Sequence, residues 1–181
     1  MTDQDREKWD SRYSSDIGSC EPSITLQNFS SLAFHGNALD IACGNGRNSI
    51  FLADKGFVVD AVDISTIAVN NFTGVNPNIN VICQDIDFWE IPSDKYDIIV
   101  NIRFLDRRLF PIIKEGLKPG GVLIFESFLG REKNKYCLKQ NELLDVFKSF
   151  YIVYYKEEKL EYSNTFDYTV SFVAIKSKVI V

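Results

Sequence analysis

A chain of 181 residues, 45% hydrophobic and 25% charged, is long enough to bury one sizeable core and too short for two ordinary domains. A formal net charge of -5 argues against a nonspecific phosphate-backbone binder, which is usually basic. No apolar run approaches the roughly 20 residues of a membrane span, and residues 1–12 are too polar for a signal peptide, so a soluble, cytoplasmic protein is expected.

The predicted elements follow in chain order. Residues 5–13 read as an amphipathic helix and 23–32 as a second helix. A first strand falls at 38–42, where an apolar run ends in Asp40-Ile41-Ala42. The turn Gly44-Asn45-Gly46 follows, and a helix is expected over 48–55. Strand 58–62, helix 65–72 and strand 80–83 come next. Strand 97–101 is continuously apolar after Asp97, as a central strand buried on both faces requires. Helix 107–117 and strand 122–128 complete the alternation, which implies βαβ units and a mostly parallel sheet. The tail breaks the rhythm. A helix at 140–150 precedes two strands, 151–155 and 168–175, separated by the charged segment 156–161 and the turn-prone Ser163-Asn164. That pair reads as an antiparallel hairpin at one sheet edge.

The turn after the first strand carries the chemistry. Gly44 and Gly46 allow positive φ and a close backbone approach to a ligand. The dinucleotide fingerprint G-x-G-x-x-G fails at its third glycine, where Ser49 stands. Three successive strands end in acids: Asp40, Asp63 and Asp85. Asp63 is suited to accept hydrogen bonds from ribose hydroxyls. Asp40 beside the glycines would favour a cationic ligand and repel a pyrophosphate. Singly, each acid also reads as a cap, a turn residue or a loop anchor.

In combination these residues resemble the class I S-adenosylmethionine-dependent methyltransferases. Asp40 to Gly46 follows that family's D/E-x-G-x-G-x-G motif, with Ala42 in place of the first glycine, a change small enough to be tolerated. Lys118-Pro119-Gly120-Gly121 matches its turn into the fifth strand. Trp9-Asp10-Ser11-Arg12-Tyr13 is similar to the W-x-x-R-Y opening of small-molecule methyltransferases. Residues 101–111 resemble the branch related to tellurite-resistance and thiopurine methyltransferases. The resemblance implies a Rossmann-like, doubly wound, mostly parallel seven-stranded sheet with the antiparallel hairpin at its edge. It implies one methyltransferase domain, with 1–35 as a helical lid and 36–181 as the core. The implied cofactor is S-adenosyl-L-methionine. Asp63 would hold its ribose and Asp85 its adenine amino group, with Ile64 and Ile86 sandwiching the base. Asp40, Ala42, Gly44, Gly46, Asn48 and Asn101 would line the rest of the site, and Trp9, Arg12 and Tyr13 would close over the methionine end.

The methyl acceptor would lie where the fourth and fifth strands end. Arg103 could clamp an anionic acceptor through its forked donors, and Glu126 could take a proton from a neutral one. Asn101 and Ser127 are further candidates, whereas Asp106 and Arg107 read better as a cap and a first-turn residue. The basic residues Arg131, Lys133 and Lys135 are expected on a loop near the acceptor mouth. Cys20, Cys43, Cys83 and Cys137 show no metal-ligand spacing, and His35 is the single histidine, so no metal is expected. The expected partner is a small-molecule acceptor such as an oxyanion or a thiol, with nucleic acid disfavoured and no membrane, on a monomer or weak homodimer. A nicotinamide oxidoreductase, a non-catalytic S-adenosylmethionine-binding regulator and an RNA methyltransferase are the competing readings.

Overall fold

The computed structural model of the chain describes residues 3–16, 18–130, 136–160 and 166–177. Among these residues seven strands form one sheet in the order β3-β2-β1-β4-β5-β7-β6. The strands are β1 (Asn37–Ile41), β2 (Val58–Asp63), β3 (Ile79–Cys83), β4 (Tyr96–Ile102), β5 (Leu117–Leu129), β6 (Tyr151–Lys159) and β7 (Tyr168–Ile175). The first five are parallel. β7 runs antiparallel between β5 and β6, so the C-terminal hairpin closes one edge as its composition implied. The helices are α1 (Asp3–Ser15), α2 (Ile24–Phe29), α3 (Arg47–Asp54), α4 (Thr66–Asn70), α5 (Leu109–Gly116) and α6 (Glu142–Val146). No described helix is long and apolar enough to cross a membrane.

Strand alternation explains the two-layered core. Ile99 of β4 packs with Leu39, Ile41, Leu123 and Phe125 on one face. Ile98 and Val100 pack with Ala38, Val59, Val122 and Ile124 on the other. Both faces are therefore covered, and the run 98–100 has no polar residue to spare. α5, Phe147 and Phe172 cover the first face, while Leu26 of α2 and Leu52 of α3 cover the second. The chain direction across the sheet reverses between β1 and β4. Ligands of open α/β sheets bind in the crevice at such a switch point, outside the carboxyl ends of the strands.

Several elements differ from the sequence expectation. α1 has no fully buried residue, so it is a polar helix and not an amphipathic one. α2, by contrast, belongs to the core: Leu26 is fully buried, and Ser23 caps the helix by accepting from the Leu26 amide. α1 and α2 thus differ in how they meet the sheet. The helix expected at 140–150 shrinks to Glu142–Val146, because Asn141 sits in the left-handed region (φ 62°) and Phe147 has left helical geometry. Lys118-Pro119-Gly120-Gly121 forms a bulge within β5. Leu117 pairs with Tyr96 and Val122 with Ile98, and the extra residues are absorbed at Gly120 (φ 85°). The charged segment 156–159 continues β6, whereas Ser163 and Asn164 lie outside the described residues.

Phe147 is fully buried and meets Phe110, Phe150 and Phe172 at ring-centroid distances of 5.9, 5.5 and 5.7 Å. Phe147→Ala is expected to cost about 3–5 kcal/mol through lost burial and the cavity left behind. Denaturant unfolding checks this as a lower midpoint with an unchanged slope.

Candidate functional site

The loop between β1 and α3 is built on three left-handed residues: Ala42 (φ 54°), Gly44 (φ 57°) and Gly46 (φ 76°). A side chain at Gly44 would strike the Tyr13 hydroxyl, and one at Gly46 would strike the Phe72 ring. Both glycines are therefore required by space as well as by φ. Asp63 at the end of β2 fixes the loop. One carboxylate oxygen accepts from the Gly44 amide at 2.8 Å and the other from the Ser65 amide at 2.8 Å. Ser49, at the broken third glycine, donates its hydroxyl to the buried Asp40 at 2.6 Å. That bond explains why a serine stands there.

On one side of the loop, Ile64, Cys83, Asp85 and Phe88 line a cavity of about 460 Å³, which Asp3 and Arg6 of α1 close. Asp85 is buried and accepts from the Asp87 amide at 2.9 Å. Ile64 lines this cavity. Ile86, its expected partner across the base, is instead packed in the core. Phe88 is the exposed apolar side chain that supplies a second surface. The Arg6 Nε is buried with no partner among the described residues.

α1 is seated here by Asp10, which accepts from the Ser65 hydroxyl at 2.6 Å and the Ile67 amide at 3.2 Å. Trp9 and Tyr13 share a face of α1, with ring centroids 6.2 Å apart. Tyr13 reaches the glycine loop. Burial, and then the Asp63 carboxylate, push its hydroxyl up to about 12, so it remains a proton donor. Arg12 is exposed and lies over the Trp9 ring, 5.3 Å from its centroid. Asn101, at the end of β4, is fully buried, and both polar atoms of its amide lack a partner among the described residues. Buried amides are normally paired, so this one marks a place for a further group.

On the other side of the loop lies a second cavity of about 550 Å³. Arg47, Arg103, Glu126 and Ser127 line its inner end, and Tyr154, Lys156 and Glu158 of β6 its outer end. Arg103 stands in the left-handed region (φ 61°), and its amide donates to the Glu126 carbonyl at 2.8 Å. Strained backbone of this kind costs on the order of 1–3 kcal/mol and persists where the surroundings enforce it. One Glu126 carboxylate oxygen accepts from the Ser23 hydroxyl at 2.8 Å and from the Thr25 hydroxyl. Burial, and then the neighbouring Arg103, lower Arg47 from its usual range.

The structure divides the residues singled out in the sequence. Asp40, Ala42, Gly44, Gly46, Asp63 and Tyr13 meet at the loop, Ile64 and Asp85 meet at the first cavity, and Arg103, Glu126 and Ser127 meet at the second. Asn48 holds the chain leading into α2, accepting from the Ser23 amide at 3.0 Å. Arg107 binds Glu142 at 2.6 Å and the Cys137 carbonyl at 2.8 Å, and Asp106 pairs with Arg108, so both have structural duties. Arg131, Lys133 and Lys135 lie outside the described residues. Arg6, Phe88, Arg47 and the outward row of β6 are the site residues that sequence reading passed over. The spacing of two along Tyr154, Lys156 and Glu158 was the available signal.

A family model described as a methyltransferase domain matches residues 38–121. The ubiquinone biosynthesis O-methyltransferase of Coxiella burnetii is 33% identical over 100 residues, covering 50% of this chain and 43% of that protein. The probable S-adenosyl-L-methionine-dependent methyltransferase TehB of Haemophilus influenzae is 29% identical over 144 residues, covering 70% of this chain and 50% of TehB. The crystal structure of TehB from Haemophilus influenzae superposes with a TM-score of 0.76 at 21% identity, over 93% of this chain and 67% of that one. The chain thus spans about half the length of the curated relatives it matches.

Two measurements test the loop. Ala42 sits where glycine is favoured, at a cost of roughly 1–2 kcal/mol for an L side chain. Ala42→Gly is expected to raise stability by up to about 1 kcal/mol, read as a higher unfolding temperature. Burial pushes the Asp40 carboxyl from its ordinary 3.8 up to about 7, with the Ser49 hydroxyl opposing. Between these values the folded protein keeps a proton that the unfolded chain releases. Stability contributed by this group therefore falls as pH rises from about 4 to about 7. Asp40→Asn is expected to remove that fall, by a few kcal/mol relative to the unsubstituted protein at pH 8. Paired denaturant curves at pH 5 and pH 8 check it.

Proposed function

The chain belongs to the class I S-adenosylmethionine-dependent methyltransferases, in their TehB-like branch, and on that basis we propose that it moves a methyl group from S-adenosylmethionine to a small-molecule acceptor. The observation that carries this reading is the pair of cavities at the carboxyl ends of the strands, one beside Ile64 and Asp85 and the other beside Arg103 and Glu126. The first suits an adenosine: a carboxylate (Asp85) meets apolar surface from Ile64 and Phe88, and Asp63 stands at the neighbouring strand end. The residues fit the cofactor in charge as well. Asp63 ends β2 beside the loop amides, and a carboxyl group there disfavours a pyrophosphate. The unpaired amide of Asn101 supplies a donor and an acceptor at the adjoining strand end. The second cavity suits the acceptor. Its presence favours turnover over a purely regulatory binder, which would need no such space.

When bound, the cofactor supplies an electrophilic methyl group on a sulfonium. The protein's work is then positioning and exclusion of water. Trp9 and Tyr13 shield the loop from above. Arg47 and Arg103 hold negative charge on the acceptor through forked donors. Glu126 is oriented through one carboxylate oxygen by Ser23 and Thr25, and its other oxygen is the base for an acceptor that carries a proton. No catalytic triad is required. The acceptor is an oxygen or sulfur nucleophile on this reading, and the similarity to an O-methyltransferase of Coxiella burnetii favours oxygen. Four free cysteines suit a reducing, cytoplasmic setting, and the acidic balance suits a protein that acts without nucleic acid.

Calorimetric titration should detect binding of S-adenosylmethionine and none of NAD. Asp63→Ala and Asp85→Ala are each expected to weaken cofactor binding by about 10- to 100-fold, as loss of a charge-assisted hydrogen bond predicts. Unchanged affinity in both variants, or binding of NAD alone, would overturn the reading.

A further inference from the structure

The second cavity's volume of about 550 Å³ is that of a site for an organic molecule. A compact inorganic oxyanion takes the room of only a few waters, each about 30 Å³, and would leave most of the chamber wet. A flat aromatic acceptor needs apolar walls. Here hydroxyl and amide side chains outnumber the purely apolar ones, and Phe29 and Tyr154 spend their rings on each other, with centroids 4.9 Å apart.

The charges have a direction. At the inner end Arg47 donates one N–H group to the Glu21 carbonyl at 2.8 Å, and no other bond from its guanidinium is made to the described residues. Arg103 makes no side-chain hydrogen bond or ion pair among the described residues, and its charge is felt at Arg47. Arg47 and Arg103 line one chamber with guanidinium donors to spare, beside Glu126 as the opposite charge, and such forked donors suit an anionic group on the ligand. From there a polar row crosses the sheet. Glu126 of β5 is in register with Ser171 of β7, and Ser171 with Lys156 of β6. At about 4.8 Å between strands, the row is about 10 Å long. Ser127, Ser171 and Asn28 line the chamber without a side-chain partner among the described residues. Glu126 has its second carboxylate oxygen to offer.

We propose that the acceptor is a small polyhydroxylated molecule bearing one anionic group, held by Arg47 and Arg103 at its charged end and by the row Glu126, Ser171 and Lys156 along its hydroxyls. This rests on the methyltransferase reading and names the substrate class for its acceptor site. Carboxylates and amides take hydroxyl hydrogens, serine hydroxyls give and take, and the forked donors take a carboxylate or a phosphate equally.

The test is calorimetric titration of the whole chain loaded with S-adenosylhomocysteine. The probes are gluconate and glucose 6-phosphate as anionic polyols, glucose as the neutral one, selenite as a compact oxyanion and catechol as a flat aromatic. At least one anionic polyol is expected to bind, with glucose weaker by about tenfold or more. The tighter of the two identifies the head group as carboxylate or phosphate. Arg103→Gln should bring the anionic polyol to within about threefold of glucose, while Arg103→Lys keeps part of the difference. Ser171→Val should weaken charged and neutral polyols alike. Tighter binding of selenite or catechol than of either anionic polyol overturns the proposal, as does binding of neither polyol to protein that has taken up S-adenosylhomocysteine. Failure to take up S-adenosylhomocysteine overturns the methyltransferase reading itself, and this inference with it.

Discussion

The carboxylate of Asp63 is the joint on which the site is assembled. Its two oxygens hold two backbone amides, Gly44 in the loop and Ser65 at the start of α4. Ser65 then passes the constraint on. Its hydroxyl donates to Asp10 of α1 and accepts from the Ala68 amide, so α4 is capped and α1 is seated by one side chain. The glycine loop, the second crossover and the polar helix over the site are therefore in register because one buried acid ends β2. Burial raises the Asp63 carboxyl above its ordinary range, and the backbone amides of Ser65 and Gly44 oppose that rise. The acid is held where a ligand's hydroxyls can share it, since each carboxylate oxygen has a second lone pair.

The parts governed by apolar burial were legible from residues alone. The run at 98–100 could only be a central strand, and its neighbours at 38–41 and 122–125 follow the same rule. The glycine loop was legible because no other residue suits Gly44 and Gly46. Features governed by polar contacts were not. α1 carries no apolar stripe that its partner could betray, and its place is fixed by the hydrogen bonds of Asp10 and by Tyr13 against the glycine loop. The charged residues 156–159 resemble a solvated connection, but each alternate one faces a cavity that exists only because α2 packs opposite. Ala42 shows the reverse error. By size it substitutes for glycine without difficulty, but its positive φ makes the cost one of backbone conformation and not of volume.

The N-terminal segment joins the two cavities physically. It leaves Ser65 at Asp10, passes the Ser19 carbonyl by the Asn45 amide at 3.1 Å and the Glu21 carbonyl by Arg47, and ends with Ser23 and Thr25 on Glu126. One stretch of chain thus forms the outer wall of both chambers. Whatever shifts that stretch on one side is felt on the other, through bonds that run from Asp10 to Glu126.

The absence of any buried residue in α1 has a kinetic corollary. Lifting this helix uncovers Ser65 and the glycine loop but takes with it no residue of the two core clusters and breaks only a few hydrogen bonds, so its opening free energy lies below that of global unfolding. The sheet can remain intact while the roof over the loop breathes. Residence time of a molecule beneath it is then set by the polar clasp at Ser65, and hardening the hydrophobic core would leave that residence time where it was.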